Sequence, residues 1–192
     1  MKIVAVSGSP RKDGNTVRAL SLLLEKAAEG GGIETELISL AGRNVRGCTA
    51  CGRCRVEKDG RCHGVKDDLN PIAETCQTAD ALILGTPVYF GSATPEIKCL
   101  MDRLGYPVRS MDKSPLERKL GGAVVVGRRA GQNFTLAQLG FYFNIMGMLQ
   151  VGSSYWNILI GRDKGEIEAD AEGVRTLNKY AENVRWLLDR LA

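Results

Sequence analysis

A chain of 192 residues with 44% hydrophobic and 25% charged content can bury a full core without disulfide or metal staples. Its formal charge of +4 is too mild to point to nucleic acid on its own. The longest apolar run near the start, Ile3-Val4-Ala5-Val6, is too short for a signal peptide or a membrane span. These features predict a cytoplasmic protein, where thiols stay reduced, with no nucleic-acid or membrane partner. Repeats, low-complexity tracts and linkers are lacking, so residues 1–192 are expected to form a single domain.

Residues 2–7, Lys-Ile-Val-Ala-Val-Ser, predict a short strand buried on both faces, as in a parallel sheet. The loop Gly8-Ser9-Pro10-Arg11-Lys12-Asp13-Gly14-Asn15 leads to a helix from about Thr16. Its Leu20, Leu23, Leu24 and Ala27 repeat at the spacing of one buried face, and Gly30-Gly31-Gly32 ends it. Residues 33–39 predict a second strand near an edge, and the cysteine-rich segment 42–66 follows as an insertion. Asp67-Asp68 is expected to cap a helix with Leu69, Ile72, Ala73, Cys76 and Ala79 on one face. Cys76 is thus read as a small core hydrophobe.

Ala81-Leu82-Ile83-Leu84-Gly85 predicts the third strand, ending in the loop Thr86-Pro87-Val88-Tyr89-Phe90-Gly91-Ser92. Thr94-Pro95 starts a helix with threonine as cap and Ile97, Leu100, Met101 and Leu104 as its buried stripe. Cys99 lies beside that stripe and is read as packing. Residues 105–118 read as irregular, and Ala123-Val124-Val125-Val126 as a fourth buried strand. A helix over roughly 133–147, a short strand near 150–155 and a last helix over about 169–191 complete the chain. Strands alternating with helices predict an α/β fold with a parallel sheet covered on both faces.

Two features carry chemistry. Cys48, Cys51, Cys54 and Cys62 form C-x2-C-x2-C-x7-C, four of the six cysteines within fifteen residues. Two-residue gaps let successive sulfurs point toward one centre, and the longer gap lets the chain return with a fourth. Soft thiolates suit zinc or an iron–sulfur cluster. Zinc sites usually set two C-x2-C pairs further apart, whereas three cysteines at consecutive two-residue gaps resemble the start of a ferredoxin-type run. That run gives its fourth cysteine to a second cluster; with no second run here, Cys62 would close the same one. A cubane cluster is favoured, with zinc, a disulfide or uncommitted thiols as alternatives. His63 is read as an exposed loop residue, with ligation or an outer-shell role as the alternative.

The second feature is the first loop. A strand, a Gly/Ser-rich loop and a helix N-terminus make an anion site, because unpaired N–H groups and the helix dipole converge there. Asn15 stands where a nucleotide-hydrolysing loop carries lysine, and G-x-G-x-x-G is not matched, so neither NTPase nor dinucleotide-fingerprint binding is expected. What remains is a phosphate-monoester site built from Ser9, Arg11, Asn15, Thr16 and backbone amides. In an open sheet of order 2-1-3-4-5, strands one and three flank the switch point where ligands bind. The loop Thr86–Gly91 would stand beside the phosphate loop there and offer a wall for a flat ring.

Taken together, Gly8-Ser9-Pro10-Arg11 with Gly14-Asn15-Thr16, Cys48/Cys51/Cys54/Cys62 with Asp67-Asp68, Pro87-Val88-Tyr89-Phe90, and Lys98…Asp102-Arg103 resemble the flavodoxin-like NAD(P)H-dependent FMN reductase superfamily. Within it the chain resembles the iron–sulfur flavoproteins of anaerobic microbes, through about residue 152. The resemblance implies a flavodoxin-like three-layer sandwich, a five-stranded parallel sheet of order 2-1-3-4-5 and a cysteine-rich loop after strand two. It implies FMN held by Ser9, Pro10, Arg11, Gly14, Asn15 and Thr16, with its ring against Pro87, Val88, Tyr89, Phe90 and Gly91. It further implies one [4Fe–4S] cluster on Cys48, Cys51, Cys54 and Cys62, and a homodimer or homotetramer.

Such a protein would relay electrons between a one-electron partner such as ferredoxin and an acceptor, with no side chain acting as acid or base. Arg43, Arg46, Arg53, Arg55, Lys58 and Arg61 surround the cysteines and could steer an acidic partner. The rival expectations are an NAD(P)H-dependent FMN or quinone reductase without a functional cluster, and a non-catalytic carrier or redox sensor.

Overall fold

The computed structural model describes residues 1–191. Its strands are β1 (Lys2–Ser7), β2 (Glu34–Ser39), β3 (Ala81–Pro87), β4 (Leu120–Gly127), β5 (Leu149–Gln150) and β6 (Ile158–Ile160). Its helices are α1 (Asn15–Ala28), α2 (Arg53–Glu57), α3 (Leu69–Gln77), α4 (Pro95–Arg109), α5 (Gln132–Ile145) and α6 (Ala171–Leu191), with a 3-10 turn at Glu166–Ala169. All strand pairs are parallel and the order is β2-β1-β3-β4-β5, as expected. The fifth position differs from expectation. Two short pieces share it: Leu149-Gln150 pairs with Leu120-Gly121, and Ile158–Ile160 with Val125–Gly127. Between them residues 152–156 leave the sheet, while Val151 and Asn157 still bond to β4, so the expected strand near 150–155 is not a continuous one.

Alternate residues of the central strands feed two cores, as the pleat requires. Val4, Val6, Leu82 and Leu84 face α3, α4 and α5, whereas Ile3, Ala5, Ile83, Val124 and Val126 face α1 and α6. Cys76 is wholly buried in the first core, and burial pushes its thiol up to about 12, which leaves it inert. Arg185 of α6 donates to the carbonyls of Ala27, Glu29 and Gly31 and so closes the C-terminal end of α1.

Three local expectations need correction. Helix α4 runs on through Gly105 and Pro107 to Arg109, because Leu104 and Val108 continue its buried stripe and Gly105 lets Tyr142 pack against the backbone. Thr94 starts α4 without capping it; its hydroxyl donates to the Gly8 carbonyl at 2.7 Å. Asp68 stands at the start of α3, yet its side chain accepts the Asn44 N–H at 2.8 Å and makes no cap. Asp67 supplies the cap instead, accepting the N–H of Leu69, the first residue of α3, as well as that of Arg46. The acidic pair therefore anchors the incoming end of the cysteine segment.

Gly122 is required by packing. A Cβ there would lie 1.6 Å from the Tyr180 hydroxyl, which is buried and has no hydrogen-bond partner. Gly122→Ala is expected to cost about 2–3 kcal/mol, a fall in Tm of about 4–12 °C for a chain this size. Tyr180→Phe alone should be neutral or stabilising, since it removes an unsatisfied polar atom, and should return part of the loss in the double variant. Additive effects in calorimetry would show that the two positions do not clash.

Candidate functional site

The first site is a crevice at the C-terminal edge of the sheet. Gly8 and Gly85, at the ends of β1 and β3, share an N–H to carbonyl bond of 2.8 Å. A Cβ on Gly8 would fall 2.6 Å from Ile97 and 2.8 Å from the Thr94 hydroxyl, so the first loop seats directly on the start of α4. Helix α1 opens at Gly14, which brings no side chain to cap it. Its first N–H groups are left for an acceptor in the crevice, where the dipole also favours an anion.

Ser9, Arg11, Gly14, Asn15, Thr16, Pro87, Val88 and Tyr89 line this crevice of ≈ 210 Å³ together. Of the residues anticipated there, Pro10, Phe90 and Gly91 are not on its wall. The reason is local: Tyr89 and Ser92 exchange both backbone hydrogen bonds around a two-residue turn with φ of +49° at Phe90 and +77° at Gly91. That primed turn leaves the Phe90 ring fully exposed. The Asn15 amide is committed elsewhere, donating to the Asp163 carbonyl and accepting the Gly165 N–H at 2.7 Å. It thereby ties the 161–165 loop to the crevice, and Arg162 and Arg128 complete the lining. Neither arginine stands out in the sequence; each sits on a loop that reaches the crevice only through the sheet order.

The second site is formed by the cysteines. Ala50, Gly52, Lys58 and Gly60 all adopt positive φ, coiling the segment so that Cys48, Cys51, Cys54 and Cys62 line one cavity of ≈ 310 Å³. None is in a disulfide. Gly64 leaves room for the Cys51 sulfur, which would stand 2.5 Å from a Cβ at that position. Burial, and then the nearness of the other three cysteines, push the Cys54 thiol up. Among the described residues, no three Cys, His, Asp or Glu side chains meet tightly enough to hold a single ion.

His63 lines this cavity and pairs with Asp59 at 3.0 Å instead of facing solvent alone. The basic residues nearby are partly engaged: Lys58 pairs with Asp112, Arg61 with Glu74, and Arg53 donates to the His63 carbonyl. The cation that matters most at this site is Arg103 of α4. Its side chain is wholly buried, and its donors reach the Cys62 sulfur at 3.1 Å, both Asp67 oxygens at 2.6 and 3.0 Å, and the carbonyls of Arg46 and Val65. Burial opposes charge on Asp67, yet the Arg103 hydrogen bonds hold its carboxyl below the ordinary value, so the pair is ionic.

Helix α4 connects the surroundings of the two sites. Thr94, just before it, bonds to Gly8 of the first loop, and Arg103, about two and a half turns or on the order of 13 Å further along, lines the cysteine cavity. Residues 1–162 match the NADPH-dependent FMN reductase family. The chain belongs to that family. Within it the chain belongs with the iron–sulfur flavoproteins. It is 38% identical to an iron–sulfur flavoprotein of Methanocaldococcus jannaschii over 191 residues, covering 96% of this chain and 95% of that one. To the iron–sulfur flavoprotein of Methanosarcina thermophila it is 34% identical, covering 96% and 93%. The fold is flavodoxin-like: a WrbA-like flavodoxin of Agrobacterium tumefaciens superposes with a TM-score of 0.68 at 19% identity, over 98% of this chain and 97% of that one. Among the described residues no helix is long and apolar enough to cross a membrane.

Proposed function

We propose that the chain is an FMN-dependent oxidoreductase that also carries a [4Fe–4S] cluster and passes electrons between a one-electron donor, such as a ferredoxin, and an acceptor. The observation that carries this reading is the presence in one domain of two sites with different donor chemistry. One is the uncapped N-terminus of α1 with arginines beside it, suited to a phosphate monoester; the other is a cavity lined by four thiols. In the crevice, Ser9, Arg11, Thr16 and the first N–H groups of α1 would hold the FMN phosphate, with Pro87, Val88 and Tyr89 beside the ring. In the cavity, Cys48, Cys51, Cys54 and Cys62 would hold the cluster. Four thiols suit a soft metal centre, and three cysteines at consecutive two-residue gaps resemble a ferredoxin-type run more than paired zinc ligands. When bound, the flavin supplies one- or two-electron chemistry and the cluster one-electron chemistry.

The chain's own residues bind, orient and shield these groups, and none is assigned a proton to move. A second copy of the chain is the natural cover for α5, whose outward Phe134, Phe141 and Ile145 are exposed on the face opposite Leu139 and Phe143. These three side chains offer on the order of 400 Å² of apolar surface, about half of the ~800 Å² per partner in a stable interface. Arg128 and Arg162 give the crevice more positive charge than one phosphate needs, which favours NAD(P)H as a donor in a second reading.

The test is anaerobic reduction followed by visible and paramagnetic spectra. Reduced ferredoxin should bleach both centres faster than NADPH does. Bleaching of flavin alone by NADPH, with no iron signal, would support the plain reductase, and a change of assembly without turnover would support a sensor. Arg53→Glu with Arg55→Glu, both exposed, should slow reduction by ferredoxin about tenfold at low salt and much less at high salt. An equal rate at all salt concentrations would remove the docking role of these arginines.

A further inference from the structure

We infer that Arg103 is a positioning residue of the cysteine centre, orienting the Cys62 sulfur through a directed hydrogen bond and raising the reduction potential of the group held there. This rests on the proposal that the four cysteines bind an iron–sulfur cluster. A guanidinium has five N–H donors in a fixed fork, and all five are used. Nε donates to the Cys62 sulfur at 3.1 Å; Nη1 to the Arg46 carbonyl at 2.8 Å and Asp67 at 2.6 Å; Nη2 to the Val65 carbonyl at 3.3 Å and Asp67 at 3.0 Å. Four acceptors are oxygens, and the fifth is sulfur.

The rest of the arrangement holds that one N–H in place. Asp67 takes the far end of the fork in bidentate fashion, and its side chain is as buried as the guanidinium. The carbonyls of Arg46 and Val65 fix the plane, so Nε has no rotamer in which to leave Cys62. Cys62 is also fixed from its backbone: its N–H donates to the Asn70 side-chain Oδ1, and its carbonyl accepts from the Asn70 side-chain Nδ2. Hydrogen bonds to cluster sulfurs stabilise the more negative, reduced state and so raise its potential. Outer-shell partners of this kind also govern metal retention. Reduction adds one electron to the centre, supplied in the test by dithionite, and no bond to Cys62 forms or breaks.

The test is a potentiometric titration of the whole, cofactor-loaded protein, wild type against Arg103→Lys, with iron and sulfide measured in each sample. Lysine keeps the charge but cannot supply five directed donors. The ratio of reduced to oxidised centre at a given potential should fall about tenfold, a shift of about 59 mV for a one-electron couple, and a chelator should strip iron faster. A second arm needs no substitution. In wild type labelled with 15N-arginine, the reduced centre should show a 15N coupling in pulsed paramagnetic spectra. An unchanged potential in the variant, or an absent coupling in labelled wild type, overturns the inference. Wild-type protein without iron or sulfide after reconstitution overturns instead the reading on which it rests.

Discussion

Arg103→Met is expected to destabilise the chain by about 3–5 kcal/mol, the cost of leaving a buried carboxylate without its partner. Asp67 is 1% exposed and its main counter-charge is the Arg103 fork. The carbonyls of Arg46 and Val65 would lose donors at the same time, so the damage spreads across both ends of the cysteine segment. Arg103→Met with Asp67→Asn should recover a large part of the loss, because the amide that replaces the carboxylate is neutral and can still accept from the N–H of Arg46 or Leu69. Urea unfolding of the flavin-loaded single and double variants measures this. A double variant no more stable than Arg103→Met would mean that the pair does not act as a charge-compensated unit.

The second large effect is expected at Gly8. Alanine there places a Cβ within 3 Å of both Ile97 and the Thr94 hydroxyl, and neither can yield without moving the start of α4. The crevice is built on that contact, since the Thr94 hydroxyl and the Gly85 carbonyl both bond to Gly8. Overpacking of this kind costs about 1–3 kcal/mol, and misplacing the phosphate loop should weaken flavin binding at least tenfold. Gly152→Ala, where a Cβ meets nothing within 4 Å, is the control and should bind flavin as wild type does. Equal flavin affinity in the two variants, by fluorescence quenching on titration with FMN, would separate the crevice from flavin binding.

Much of this is legible in the sequence because the carriers are local. Strands β1, β3 and β4 are unbroken apolar runs, and the glycine-rich turn before α1 reads as an anion site within a few residues. The four cysteines announce themselves by spacing. The parts that escape depend on distant partners. Arg103 meets Asp67, Cys62 and Arg46 from 36 to 57 residues away, and although it stands among the residues that carry the family resemblance, its neighbours in sequence give no sign of those partners. Asn15 looks like a phosphate ligand until a loop 148 residues later claims its amide. Phe90 looks like a ring-stacking residue until the turn that holds it requires positive φ and turns the ring outward. Helix α4 reads too short in the sequence because Gly105 and Pro107 are local breakers, while the packing that keeps the helix going is tertiary.

The most direct measurement is the content of iron, acid-labile sulfide, zinc and FMN per chain in protein purified without oxygen. Two cofactors on one chain predict about four irons, about four sulfides and one FMN, with iron lost but flavin kept when any of Cys48, Cys51, Cys54 or Cys62 is changed to serine. Flavin without iron or sulfide, even after anaerobic reconstitution, would contradict that account and leave a reductase with a single redox centre.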